Sequence, residues 1–237
     1  MIYLCQLFTM RITTVVIAFD EDFWMLDFSK THQRDQLLHL IVRCECDIRH
    51  SLLCNALRSK ASQTLDIRRI PTRGFEFTED IAPVKNLFIS FAGWMPRRQL
   101  LRLECETIIL VRTRFDGTDI SAMIWRWISR GHRNLKFTRI HGKQLSLNRT
   151  LLKTLKPVKV ETSYKWTLEE DSVIFRPSDS YHRFGTTYKW NSEEPTFTFR
   201  SPQAYNIRRA DGVVASVMND GDQIVVAVWP DIGGTML

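Results

Sequence analysis

ETIILVRTRFDGTDISAMIWRWISRGHRNLKFTRI, residues 106–140, decides how the rest of the chain is read. Ile108, Ile109, Leu110 and Val111 are apolar at consecutive positions, as a strand covered on both faces of a parallel sheet requires. Ile120, Met123, Ile124, Trp127 and Ile128 then follow the i, i+3, i+4, i+7, i+8 spacing of an amphipathic helix, predicted over 118–130. Thr118 or Asp119 is placed to cap its first amides, Arg126 and Arg130 suit the negative end of its dipole, and Gly131 can take the left-handed cap. Asn134–Phe137 reads as the next strand, so the segment runs strand, helix, strand, with a right-handed crossover expected. Trp125 lies about 140° around the helix from Ile120, outside the apolar stripe that holds Trp127. Trp127 is therefore assigned to the core. Trp125 either packs on a neighbouring element or is an exposed anchor for a partner, and it is the single partner-binding candidate.

Outward from this unit, a polar-apolar-x-apolar pattern recurs at Thr64–Ile67, Asn86–Ile89, Thr107–Leu110 and Asn134–Phe137, with an echo at Val158–Val160. Its first apolar positions, Leu65, Leu87, Ile108, Leu135 and Val158, fall at intervals of 22, 21, 27 and 23 residues. Such intervals suit leucine-rich repeats, in which each unit contributes one strand to a parallel stack; the alternative is an α/β domain with evenly spaced strands. Arg11–Phe19 reads as a strand, and helices are expected near 33–57, through Leu37, Leu40, Ile41, Leu52 and Leu53, and at 146–155 before Pro157. After about residue 160 short β-rich runs take over at Val173–Arg176, Thr186–Trp190 and Thr196–Arg200. Asp211-Gly212 and Asp220-Gly221 then separate Tyr205–Arg209, Val213–Met218 and Gln223–Trp229, a hairpin signal. The expected fold is α/β (α+β): leucine-rich-repeat-like strand/helix units with a largely parallel sheet over 1–160, then an antiparallel β-meander within 161–237, both parts of one domain.

Composition narrows the chemistry. The chain has 237 residues, 44% of them apolar, which is enough to bury a sizeable core. No run approaches the roughly 18 apolar residues of a membrane span and no signal cleavage site follows Met1–Phe8, so an intracellular protein, cytoplasmic or nuclear, is expected. Five cysteines at uneven spacings do not form a disulfide framework. Cys44, Cys46, His50 and Cys54 cluster, but their short spacings match no common zinc pattern, and buried core cysteines are the preferred reading, with no metal assigned. Glycine-rich phosphate loops, a Gly-x-Ser-x-Gly elbow and a His-Glu-x-x-His helix are all missing from the sequence. The six histidines, His32, His39, His50, His132, His141 and His182, stand at no diagnostic spacing from an acid or nucleophile. No catalytic residue and no cofactor is therefore assigned, and the carboxylate runs Asp20-Glu21-Asp22 and Glu193-Glu194 read as solvated turns. A net charge of +7 is spread along the chain, which fits a solvated basic surface. Trp125-Arg126-Trp127 and Tyr188-Lys189-Trp190 interleave aromatic and basic residues as a single-stranded nucleic-acid binder does, but no RNP or KH signature accompanies them.

Two blocks carry a more specific likeness. Asn86 to Trp94, Gln99 to Leu110, Asp119 to Gly131 and Asn134 to Phe137 form one; Tyr205-Asn-Ile-Arg-Arg-Ala-Asp-Gly-Val-Val-Ala-Ser216 forms the other. Together, over 84–142 and 205–229, they resemble the F-box-associated domain of nematode F-box proteins. The family's closing segment usually reads Tyr-Asp-Ile-Arg-Arg-x-Asp-Gly-x-x-Ala-Thr, so Asn206 stands where the family often has Asp, and Arg130 where it often has Gly. The resemblance implies a non-catalytic domain that selects a protein target for an SCF-type ubiquitin ligase. In that family a preceding F-box docks on a Skp1-type adaptor, but no Leu-Pro-containing F-box segment is found before residue 84. Adaptor docking is thus expected only if an F-box lies upstream. A basic module binding RNA or DNA through a Trp/Arg-rich surface is the alternative reading.

Overall fold

The computed structural model describes residues 14–17, 39–42, 49–59, 63–68, 74–143, 145–147, 158–159, 164–167, 196–199 and 202–229. Six strands, β1 (Thr14–Ile17), β2 (His39–Val42), β3 (Thr64–Ile67), β4 (Asn86–Ile89), β5 (Thr107–Thr113) and β6 (Phe137–Gly142), lie side by side in chain order, each parallel to the next. Among the described residues three helices stand between them: α1 (His50–Leu57) after β2, α2 (Arg97–Arg102) after β4, and α3 (Gly117–Ile128) after β5. The sheet then reverses. β6 pairs antiparallel with β12 (Gln223–Val228), followed by β11 (Val214–Asp220), β10 (Ala204–Arg208) and β7 (Val158–Lys159), which makes one ten-stranded sheet. β8 (Tyr164–Thr167) and β9 (Thr196–Phe199) form a separate antiparallel pair. The expected order, a largely parallel sheet and then an antiparallel meander, is therefore what the chain adopts.

The ladder explains the repeat. Thr14, His39, Thr64, Asn86, Thr107 and Phe137 stand in register, at intervals of 25, 25, 22, 21 and 30 residues. Alternation along the strands sends Leu40, Leu65, Leu87, Ile108, Val42, Ile67, Ile89 and Leu110 to one face, where they share a core with Leu53 and Leu57 of α1, Leu100 of α2 and the inner face of α3. Ile109, Phe137, Val225, Ala227 and Met218 line the opposite face, against Phe199 and Trp229. Phe137 and Phe197 pack there with tilted rings, 4.8 Å between centroids. On that same face β3 buries a charge: Asp66 accepts from Arg68 Nε at 2.7 Å, both side chains almost wholly enclosed.

Several expectations are corrected. The helix expected near 33–57 is strand β2 followed by the shorter α1, because Leu40-Ile41-Val42 is a continuous apolar run buried between two parallel neighbours. Residues 33–38 and 43–48 lie outside those described. The strand placed at Asn134–Phe137 starts only at Phe137; Leu135 N–H donates to His132 O at 3.0 Å and belongs to the turn before it. Val158–Lys159 is not a fifth parallel unit, since it pairs antiparallel with β10 at the far edge. Of the helix expected at 146–155, Ser146 and Leu147 are irregular and the rest lies outside the described residues, as do Val173–Arg176 and Thr186–Trp190.

Helix α3 is specified at both ends by residues close to, but not at, the positions expected. Asp116, not Thr118 or Asp119, is its N-cap: it accepts from Thr118 N at 2.8 Å and Asp119 N at 3.0 Å, and Asp119 Oδ2 accepts from Asp116 N at 3.1 Å. The Thr118 hydroxyl and the Asp119 amide hold the Asp116 carboxyl below the usual carboxylate range. At the other end Arg130 N–H donates to Trp127 O and Gly131 N–H to Arg126 O, the paired bonds of a Schellman turn. The left-handed residue of that turn is Arg130, at φ 66°, and not Gly131. Gly131 is needed for space, because a Cβ there would sit 2.4 Å from Arg126 Cγ. Arg130→Gly is expected to raise stability by about 1 kcal/mol, since an L side chain in the left-handed region costs about that much. Thermal melts check this, and a lower melting temperature in the variant would contradict it.

Candidate functional site

Helix α3 sorts the three residues of Trp125-Arg126-Trp127 onto different surroundings. Trp127 is 2% exposed and lies in the core with Ile120, Met123 and Ile124. Trp125 is 40% exposed on the outer side. Arg126 lies back along Gly131 at the C-terminal turn. The aromatic-basic interleaving of the sequence is therefore not one surface here, and Tyr188-Lys189-Trp190 lies outside the described residues. Trp125 stands as an exposed aromatic next to the polar positions Ser121 and Ser129.

Trp127 joins the two blocks of the sequence. The Arg209 guanidinium lies over its ring, 5.1 Å from the centroid. Arg209 Nε also donates to Asp211 at 2.9 and 3.0 Å, and this pairing holds the Asp211 carboxyl below its ordinary range. Gly212, at φ 92°, lets the chain turn so that Gly212 N–H reaches Arg209 O and Arg209 N–H reaches Val213 O. In Ile207-Arg208-Arg209-Ala210-Asp211-Gly212 the first arginine faces solvent, while the second is buried and clamps the hairpin onto α3. Sequence reasoning found the turn but not the clamp; the Arg-x-Asp-Gly spacing is the signal that points to it. Gly221, at φ 58°, is the first residue of the two-residue loop between Asp220 and Gln223.

A second polar connection runs through the same hairpin. Ser216 Oγ donates to Asn206 Oδ1 at 2.6 Å and accepts from Trp229 Nε1 at 2.9 Å, all three side chains buried. Asn206 and Ser216 are direct cross-strand partners. A neutral amide at 206 satisfies a neutral hydroxyl without placing a charge in the core.

Reactive groups are dispersed. His132 is buried in the turn after α3, at φ 47°, and neither ring nitrogen makes a hydrogen bond of normal geometry. Burial holds it below its usual pKa, with Arg126 acting the same way and the Leu103 main chain and Glu104 opposing. His50 sits edge-on to Phe75 at 5.3 Å. Burial pushes the Cys105 thiol up to about 12, so it is inert as a nucleophile. Cys54 is half-buried, while Cys44 and Cys46 lie outside the described residues. Among the described residues no three His, Cys, Asp or Glu side chains converge on a metal-sized space, and no helix is long and apolar enough to cross a membrane.

The arrangement thus offers an α/β scaffold, an exposed tryptophan on α3 and a clamped C-terminal hairpin. Comparison of the chain with known protein families, with curated proteins and with solved structures finds no match.

Proposed function

We propose that this chain is a non-catalytic protein-recognition domain of the F-box-associated kind, holding a protein target in place for a ubiquitin ligase. One observation carries most weight in its favour. The two blocks that resemble that domain, far apart in the chain, meet through Arg209 on Trp127 and through the pairing of β6 with β12. Motif residues in contact behave as parts of one module. A ligase role works by proximity, since binding raises the target's effective concentration beside the transfer machinery. It further requires an F-box on the same polypeptide to reach a Skp1-type adaptor.

Affinity purification of the tagged full chain tests this reading. The expected result is a discrete protein target retained in high salt. Adaptor and cullin recovered with it would add the ligase role, and a target without them would leave recognition alone. Recovery of RNA or DNA instead, lost steeply as salt rises and weakened by Trp125→Ala, would overturn the proposal in favour of a nucleic-acid module.

A further inference from the structure

Among the described residues three non-glycine residues take positive φ: Arg112 (53°), Arg130 (66°) and His132 (47°). The last two belong to the turn that leaves α3. Arg112 instead lies within strand β5, where the register with β6 slips between Leu110 and Thr113. A bulge of this kind re-aims a side chain, and strain of this kind persists where the surroundings over-determine it. Nothing in the pairing requires arginine there, because glycine takes the same backbone freely.

The strained residue is held by the loop that follows β4. Ala92 N–H donates to Val111 O at 2.9 Å, which ties the loop to the bulge. The Arg112 guanidinium lies over the Phe91 ring at 4.6 Å from its centroid. Such stacking fixes the guanidinium plane and leaves its edge N–H groups directed outward. Arg114 is exposed and lies along Gly93: a Cβ at that glycine would touch Arg114 Cγ and Nε at 3.8 Å and meet Arg112 O at 3.1 Å. Among the described residues no carboxylate pairs with either arginine. The acids that follow in the chain are engaged elsewhere, Asp116 and Asp119 in the cap of α3, with Arg97 beside Asp119. His141, on the adjoining strand, is held below its ordinary pKa by burial and then by Arg139 and Arg112, with Asp222 opposing.

We infer that Arg112 and Arg114, presented by the bulge of β5 and the loop 90–94, form an oxyanion site that takes a phosphoryl group. It lies at the carboxyl ends of β4 and β5, the end of a parallel sheet at which ligands gather in other α/β folds. Planar guanidinium edges match the oxygens of a phosphoryl group and donate charge-assisted hydrogen bonds to them. The site stands independently of the recognition reading.

Thermal melts of the purified full chain in inorganic phosphate, against chloride of equal ionic strength, test it. A saturable rise in melting temperature specific to phosphate is expected, and in Arg112→Gly and Arg114→Gln the midpoint of that rise should move to concentrations at least about tenfold higher. Arg112→Gly is expected to fold without loss of stability, so its weaker binding cannot be attributed to unfolding. O-phosphoserine acting at lower concentration than inorganic phosphate would place the phosphoryl group on a protein side chain; equal potency would place it on free phosphate. An identical response to phosphate and chloride, or a phosphate response unchanged in both variants, would overturn the inference.

Discussion

Trp127→Ala is expected to destabilise the chain by about 3–5 kcal/mol, the range for emptying a buried tryptophan position. The side chain is almost fully enclosed between α3 and the sheet, so its removal opens a cavity in the principal core. The Arg209 guanidinium also loses the ring it lies on, and Arg209 Nη1 is buried without an acceptor of its own. The hairpin of β10 and β11 should therefore loosen from α3 before the rest of the fold gives way. Trp127→Phe separates shape from chemistry: Trp127 Nε1 is buried without a hydrogen-bond acceptor, so the smaller ring forfeits no hydrogen bond. Its cost should stay near 1 kcal/mol, as for other apolar swaps that leave a core mostly filled. Urea unfolding measures both variants, and an alanine variant within 1 kcal/mol of the parent would show that α3 does not rely on this contact.

The second large effect is expected at Asp66. Its carboxylate sits in the middle of a parallel strand with apolar neighbours on either side, and it bonds a buried arginine two residues on. Asp66→Ala breaks this pair from one side, which costs up to about 3–5 kcal/mol for enclosed ion pairs because the buried guanidinium loses the offset that this carboxylate supplies. Arg68 also lies 5.7 Å from the Phe88 ring centroid, so its stem and plane stay confined when the carboxylate goes. Replacing both residues, Asp66→Leu with Arg68→Met, should recover most of the loss, since apolar side chains of similar volume often substitute for such a pair without penalty. If the double variant unfolds as readily as the single one, packing and not charge governs this position.

Local pattern made much of the fold legible, and its failures have physical causes. Thr64–Ile67 and Asn86–Ile89 were readable as strands because a buried parallel strand leaves a short apolar run bounded by polar residues. β2 was not, because Leu37, Leu40 and Ile41 fit a helical spacing as well as a strand, and only pairing between β1 and β3 decides. The cap of α3 was missed by two residues because Asp116, Thr118 and Asp119 are all competent caps, and the winner depends on where the strand releases the chain. Trp125 and Trp127 separated correctly because a helix makes orientation a function of spacing alone. The Arg-x-Asp-Gly spacing marks the turn that holds Arg209 but not the ring it lies on, because Arg209 and Trp127 are more than eighty residues apart, and the strained φ of Arg112 leaves no local trace because it exists only where a bulge is forced against a loop.

The reversal of the sheet at β6 has a bearing on how the chain is made. β6 is complete by Gly142, but its second neighbour, β12, begins only at Gln223. Until about eighty further residues leave the ribosome, the growing end of the parallel stack presents a bare row of amides and carbonyls. An unpaired edge of that kind templates association with other chains, and late long-range pairing prolongs the exposure. Synthesis rate through 143–222 therefore sets the time over which nascent chains are open to aggregation, and products ending before β12 keep that edge permanently open.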